Sequence, residues 1–128
     1  FPESNTSAAD NEARLKCAQL NVNKMKEIAG SLPVFIVGDM NCSYAADDTR
    51  RSALAPYYAW MQSGREKAPD RDSAYSYNNF GGGTPSARWN LDHIFYKGVK
   101  PVRFQTVTSP NYGVTYLSDH FPITLTVE

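Results

Sequence analysis

The chain has 128 residues, which fits one domain of ordinary size, and its 41% hydrophobic content is enough to form a core and to exclude intrinsic disorder. Its formal net charge is zero, so the overall composition does not favour nucleic acid or an anionic membrane as a partner. No apolar run is long enough to span a membrane, and the residues after Phe1 do not have the pattern of a signal peptide.

The start of the chain and its cysteines carry little further information. The chain begins at Phe1 rather than at Met, so we expect a processed or trimmed protein or a fragment of a longer one. Cys17 and Cys42 are too few for a disulfide framework in a chain of this length. We predict that both are small buried hydrophobic residues, and they do not report the cellular compartment.

The first predicted element is a helix over residues 10–29. Its apolar residues recur at steps of three and four and lie on one face, namely Leu15, Ala18, Val22, Met25 and Ala29. The four apolar residues 34–37, closed by Gly38, predict a strand that is buried on both faces. A helix followed by a buried strand indicates layered α/β packing.

The rest of the chain predicts shorter elements. Asp47 and Asp48 could cap a second helix over 49–62, which Pro56 should break or kink. Residues 63–72 predict a loop, 75–77 a short strand and the glycine-rich stretch 81–85 a surface loop. Three further strands are predicted over 90–96, 102–107 and 121–127. The pattern therefore predicts a single α/β domain over residues 1–128.

Polar and charged side chains are concentrated where predicted strands begin or end, which is where the active sites of α/β sheets tend to lie. Asp39 and Asn41 directly follow the first strand. In an extended backbone, residues two apart point the same way, so this carboxylate and amide can hold a water or metal ion and a phosphoryl oxygen. The competing interpretation is a simple turn, because Gly, Asp and Asn are all favoured in turns.

Two further segments contain an Asp next to a His. Asp92 lies in a predicted strand that is otherwise apolar, so either it has a specific partner or its face is exposed. His93 points to the other face and is predicted to be an ordinary polar residue. Asp119 and His120 directly precede the last strand, where the imidazole can act as a base or as a cation near phosphate. Because neighbouring residues of a strand face opposite ways, Asp92 rather than Asp119 is the candidate to orient His120.

The three motifs G-D-M-N at 38–41, L-D-H-I-F at 91–95 and S-D-H-F-P-I at 118–123, in this order, resemble those of the endonuclease/exonuclease/phosphatase superfamily, which includes exonuclease III, deoxyribonucleases and sphingomyelinases. The resemblance implies the C-terminal half of a four-layer α/β/β/α sandwich, with mostly antiparallel or mixed sheets flanked by helices. The Q-E and T-H-L motifs of the family's first half are not present in these residues. The resemblance therefore implies a partial domain, which is either a truncated piece or one whose other half is supplied by another polypeptide.

By this resemblance, the chain would be part of a divalent-metal-dependent hydrolase of phosphate esters, with Mg²⁺ as the expected ion and Mn²⁺ as the alternative. Asp39 would position or deprotonate the attacking water, Asn41 would hold one phosphoryl oxygen, and His120 would donate to another. Asp92 would orient His120, and Asp119 would bind the metal ion or lie beside it. With half of the site missing, we expect the isolated chain to be almost inactive.

Two other functions are left open by the sequence. A non-catalytic fragment or binding module would keep the fold without turnover. A sugar-binding or adhesion β-domain, which the eight tyrosines suggest, would lack any clustering of Asp39, Asp92 and His120.

The sequence leaves the substrate open. Basic residues between 50 and 71 alternate with acidic ones, which is typical of a solvated surface, so a nucleic-acid substrate is not excluded but is not favoured by charge. A small phosphoester, or a lipid or sugar phosphate, suits this surface better. Trp89 follows the glycine-rich loop and is a candidate for the rim of a substrate pocket, whereas Trp60 lies in a helical pattern and is predicted to be in the core.

Overall fold

A computed structural model describes residues 7–82 and 86–128 of the chain. Part of the predicted surface loop at 81–85 therefore lies outside the described residues. The helices are α1 (Ala8–Ala29), α2 (Ala55–Trp60) and α3 (Gly64–Lys67). The strands are β1 (Val34–Asp39), β2 (Gln62–Ser63), β3 (Asp70–Arg71), β4 (Asp92–Lys97), β5 (Pro101–Thr106) and β6 (Ile123–Val127).

Helix α1 begins where the Ser7 hydroxyl accepts a hydrogen bond from the backbone N–H of Asp10, and Gly30 follows its last turn. Ala18 and Val22 are buried as predicted, but Leu15 is 40% exposed. The prediction is wrong at Leu15 because the buried residues of the helix are spaced four apart, at Arg14, Ala18 and Val22, and the Arg14 side chain is fully buried.

The strands form two three-stranded sheets. The first has the order β1-β4-β2 and is antiparallel. The second has the order β3-β5-β6, with β3 parallel and β6 antiparallel to β5. The described elements are therefore α/β with antiparallel and mixed sheets, as the sequence predicts.

The prediction that residues 34–37 are buried on both faces is wrong. Val34 is buried, but Phe35 is 43% and Val37 is 59% exposed. The reason is the position of β1, which lies at the end of its sheet, with its second face uncovered by the described residues.

The middle of the chain is more structured than its composition predicts. The second helix is divided into a 3-10 helix over Thr49–Leu54 and α2, with Pro56 in the first turn of α2, where a missing N–H is tolerated. The predicted loop at 63–72 instead contains α3 and two short strands. Residues 75–77 do not form a strand, because only Tyr77 makes an isolated bridge, to His120.

Two apolar clusters hold these layers together. Helices α1 and α2 pack on one side of the first sheet through a cluster that includes Val22, Tyr57 and Phe95. On the other side of that sheet, Ile94 packs with Phe104 of the second sheet. The three layers therefore follow the order helix, sheet, sheet, and together they fix the positions of the strand ends that carry the polar motifs.

The sheets approach closely at Gly64. A Cβ atom added there would lie 2.9 Å from a Leu125 methyl group and 3.1 Å from the Ile94 carbonyl oxygen, so only glycine fits without a shift of the surrounding structure. Cys42 is buried, as predicted, whereas Cys17 lies on the exposed side of α1, so that prediction is wrong. Trp60 is partly buried against the first cluster. None of the helices in the described ranges has the length and apolar character of a membrane span.

Candidate active site

The end of β1 brings Asp39 next to β4. In the antiparallel register of the two strands, Asp39 lies directly opposite Asp92. The Asp39 carboxylate accepts a hydrogen bond of 2.8 Å from the backbone N–H of Asn41, which has a left-handed conformation with a φ of 48°. The backbone is therefore not extended at Asn41, as one interpretation of the sequence assumed, and the turn that competed with that interpretation is present.

The electrostatic setting of Asp39 differs from that of an ordinary surface carboxylate. Asp39 is exposed at the end of its strand, but the partial burial of its carboxylate still raises its pKa; the hydrogen bond from Asn41 opposes that rise, and the negative charge of Asp92 adds to it. A carboxylate with a raised pKa binds a proton more readily, which is the property that a general base needs.

Asp92 and His120 form a hydrogen-bonded pair. The His120 Nδ1–H donates to Asp92 Oδ2 over 2.7 Å, and both side chains are largely buried. The hydrogen bond expected from the sequence is therefore present. It fixes the imidazole with Nδ1 towards the carboxylate, so that Nε2 is left to face a ligand.

The segment 76–79 holds both members of this pair in place. The buried Ser76 hydroxyl accepts hydrogen bonds of 3.1 Å from the backbone N–H groups of Leu91 and Asp92. The Ser76 carbonyl accepts 2.7 Å from the N–H of Phe121, and the ring of Tyr77 packs edge-on to His120 with centroids 5.0 Å apart. The roles of Ser76 and Tyr77 were not predictable from the sequence, because no local motif marks a contact between residue 76 and residues 91 and 121.

Asp119 directly precedes His120, and its hydrogen bonds go to residues outside the Asp92–His120 pair. Its carboxylate accepts a hydrogen bond of 3.1 Å from the Ser118 hydroxyl, and its backbone carbonyl accepts from the N–H groups of Asn78 and Asn79. Within residues 7–82 and 86–128, no group of three or more acidic, His or Cys side chains converges on one metal position. Magnesium commonly binds through one or two protein carboxylates with water and phosphate oxygens as its other ligands, and Asp119 suits that partial role.

The two residues with weaker sequence signals have clear places in the structure. Trp89 is half-buried, and its ring lies 5.4 Å from that of Tyr77, which itself contacts His120. His93 is buried and donates from Nε2 to the Cys42 carbonyl over 2.8 Å. Burial lowers the pKa of His93, which favours the neutral ring. The side chain is therefore part of the core and not of the candidate site.

A buried ion pair supports the turn that follows Asn41. Both Asp48 carboxylate oxygens accept from the Arg50 guanidinium at 2.9 Å, and the backbone N–H and hydroxyl of Ser43 also donate to Asp48. Burial would raise the pKa of Asp48, but these hydrogen bonds outweigh it and hold the pKa well below its ordinary value. The charged pair therefore fixes the chain that leads away from the site.

The sequence profile of the Endonuclease/Exonuclease/phosphatase family matches residues 2–120, which is most of the chain. The chain belongs to this family. The profile match includes the segments that carry Asp39, Asn41, Asp92, Asp119 and His120. Of these residues, Asp39 lies opposite Asp92 across the strands, and Asp92 is hydrogen-bonded to His120. A search of proteins with curated functions finds no match to the chain.

Solved structures of the family have the same fold. An endonuclease/exonuclease/phosphatase from Bacteroides vulgatus superposes with a TM-score of 0.76 at 25% identity, over 92% of this chain and 44% of its own. A mannosyl-6-phosphatase from Bacteroides thetaiotaomicron has a TM-score of 0.72 at 24% identity, over 91% of this chain and 46% of its own. A conserved protein from Enterococcus faecalis has a TM-score of 0.75 at 18% identity, over 100% of this chain and 48% of its own. The chain thus spans less than half the length of the family structures that it matches.

Proposed function

We propose that this endonuclease/exonuclease/phosphatase chain supplies half of the active site of a phosphoesterase that hydrolyses phosphate esters with the aid of a divalent metal ion. The observation that supports this most directly is the hydrogen bond between His120 and Asp92, with Asp39 opposite Asp92 across the strands. Family membership and the phosphatase named among the structural neighbours also support it.

In this proposal each residue has one role. Asp39, whose pKa burial raises, positions the attacking water and accepts its proton. Asn41 donates from its side-chain amide to one phosphoryl oxygen, and His120 donates from Nε2 to another as negative charge builds up there. Asp92 keeps the imidazole oriented through Nδ1, and Trp89 contributes to the rim that contacts the substrate.

The described residues supply only part of the ligand set that a metal ion would need. Asp119 would hold it, together with ligands from the remaining half of the domain, from water and from the substrate. When bound, Mg²⁺ supplies positive charge that offsets the charge of the phosphoryl oxygens, and Mn²⁺ can replace it. Because phosphate-ester hydrolysis needs very large rate accelerations, a half-site should contribute little on its own.

The activity of the isolated chain tests this division of the site. We expect little or no hydrolysis of bis-p-nitrophenyl phosphate in the presence of Mg²⁺, because the Q-E and T-H-L motifs that would complete the site by the family resemblance are not present in these residues. Rapid hydrolysis that is lost in Asp39→Ala would show that these 128 residues form a complete site and would contradict the half-site proposal. A thermal shift on titration with Mg²⁺ would distinguish a partial metal site from a module that does not bind metal.

A further inference from the structure

A groove of about 690 Å³, with both polar and apolar lining, opens beside the strand end that carries Asp92. Its wall includes Tyr44, Arg71, Ser73, Tyr75 and Asn90. Asn90 precedes Asp92 by two residues, which an extended chain spans in about 7 Å, so the groove borders the site described above. Its volume falls in the range of sites that bind small molecules.

The charges of the groove do not favour an anion. Arg65 and Arg71 are matched by the carboxylates of Glu66 and Asp72, so the wall is formally neutral. The buried Arg65 guanidinium already donates to the Ala74 carbonyl and to the Thr106 hydroxyl, each at 2.9 Å. Arg71 likewise donates to the backbone carbonyls of Glu66 and Ala68. The terminal nitrogens of Arg65 and one of Arg71 are therefore engaged, and of the Arg65 nitrogens only Nε is left without a partner among the described residues.

The remaining groups suit a ligand that both donates and accepts hydrogen bonds. Tyr44, Ser73 and Tyr75 line the groove, and their side chains combine hydroxyl groups with the apolar surface of two aromatic rings. Asn90 is only 4% exposed, and its Oδ1 has no hydrogen-bond partner among the described residues. An unpaired buried acceptor is unfavourable, so a ligand hydroxyl that reached this oxygen would gain a hydrogen bond.

We infer that this groove binds the ring of a monosaccharide. If the proposed phosphoesterase function holds, on which this part of the inference rests, the substrate class is a sugar phosphate whose ring occupies the groove while its phosphate lies at His120. The sugar ring supplies hydroxyls for the polar wall and an apolar face for the tyrosine rings. The formal neutrality of the groove fits a ring without charge, and the charged end of the substrate then lies at the strand ends.

The test measures binding of unphosphorylated sugars to the 128-residue chain, without metal, by nuclear magnetic resonance of its backbone amides. The probes are the methyl glycosides of mannose, glucose and galactose, with inorganic phosphate as the anionic comparison. We expect at least one glycoside to produce saturable shifts at Tyr44, Ser73, Tyr75 and Asn90. Absence of a saturable shift with all three, or phosphate shifting these amides instead, would overturn the inference.

Variants locate the binding in the groove. Ser73→Trp fills it from an exposed position and should abolish the saturable shifts, whereas Ser31→Trp, at an exposed serine outside the groove, should retain them. If Ser73→Trp does not fold, Arg71→Ala opens the same wall and should weaken binding. Unchanged binding in the folded groove variant would overturn the inference. Because this test measures no turnover, sugar binding by the chain together with an inactive complete domain would refute only the proposed function, and an active complete domain whose chain does not bind sugars would refute only the groove.

Discussion

At the scale of single residues, the site depends on charged groups that the protein holds in fixed places by burial and hydrogen bonding. The Asp48 side chain is almost completely buried, and its partner Arg50 is only slightly more accessible. Such a pair contributes little net stability compared with apolar residues of similar size, but removal of one partner leaves an uncompensated buried charge. Its importance is therefore best measured by breaking it.

We predict that Asp48→Asn lowers the free energy of unfolding by about 3–5 kcal/mol, because Arg50 then remains buried without its counter-charge. Asp47→Asn is the matched control, since the neighbouring Asp47 is exposed and lies 3.9 Å from an exposed Arg88. That substitution should change the free energy of unfolding by less than about 0.5 kcal/mol. Chemical denaturation at neutral pH measures both values. Equal effects of the two substitutions would contradict a structural role for the buried Asp48–Arg50 ion pair.

The buried imidazole of His93 makes stability depend on pH. Burial lowers its pKa in the folded state, so the unfolded chain takes up the proton first as the pH falls. The stability that neutral His93 provides is complete above an unfolded pKa of about 6.5 and is lost as the pH decreases below it, by at most about 1.4 kcal/mol per pH unit. Denaturation between pH 8 and pH 5 should show this loss in the wild type and in His120→Gln. The same decline in His93→Gln would show that another group causes it.

At the scale of elements, the sequence predicts regular structure where the periodicity is strong. The helix over 10–29 and the strands around 90–96 and 102–107 are observed with ends shifted by one or two residues. The exposure of Phe35 and Val37 was not predictable, because an apolar run does not reveal whether its strand lies inside a sheet or at an end.

The candidate site shows the same division between what the sequence predicts and what it does not. The sequence motifs lead to Asp39, Asp92 and His120, and the hydrogen bond between the last two follows from strand geometry. The segment that aligns them, which contains Ser76, has no distinguishing composition. Its role exists only in three-dimensional contacts between parts of the chain that are 15 or more residues apart.

We predict that Ser76→Ala disturbs the Asp92–His120 pair, because two buried backbone N–H groups lose their acceptor. The free energy of unfolding should fall by about 1–3 kcal/mol. In addition, the ¹⁵N chemical shifts of the His120 ring should change. A general loss of stability that left the Asp92–His120 pair intact would not change them. Ser73→Ala, at an exposed serine in the same region, is the control. Unaltered His120 ring shifts in folded Ser76→Ala would exclude a positioning role for Ser76.

At the scale of the whole molecule, both sheets end in strands that carry site residues or adjoin them. Among the described residues, β1 and β6 are end strands, Asp39 closes β1, and His120 precedes β6. The family structures that match this chain are about twice its length, and Phe35 and Val37 leave apolar surface on β1 uncovered. If the proposed function holds, the remaining half of a family domain would pack along these two strands and add its own ligands to the site.

The most direct test is the hydrolysis rate of a complete domain, in which this chain is joined to the remaining half, measured for the wild type and for Asp92→Asn. The substitution keeps the size of the side chain but removes the charge that orients and supports the His120 imidazole. We predict metal-dependent hydrolysis of a phosphate ester by the wild type and a decrease in kcat of about 10²–10⁴-fold in the variant, with the fold unchanged. A folded Asp92→Asn domain that hydrolyses the ester as fast as the wild type would contradict the proposed site.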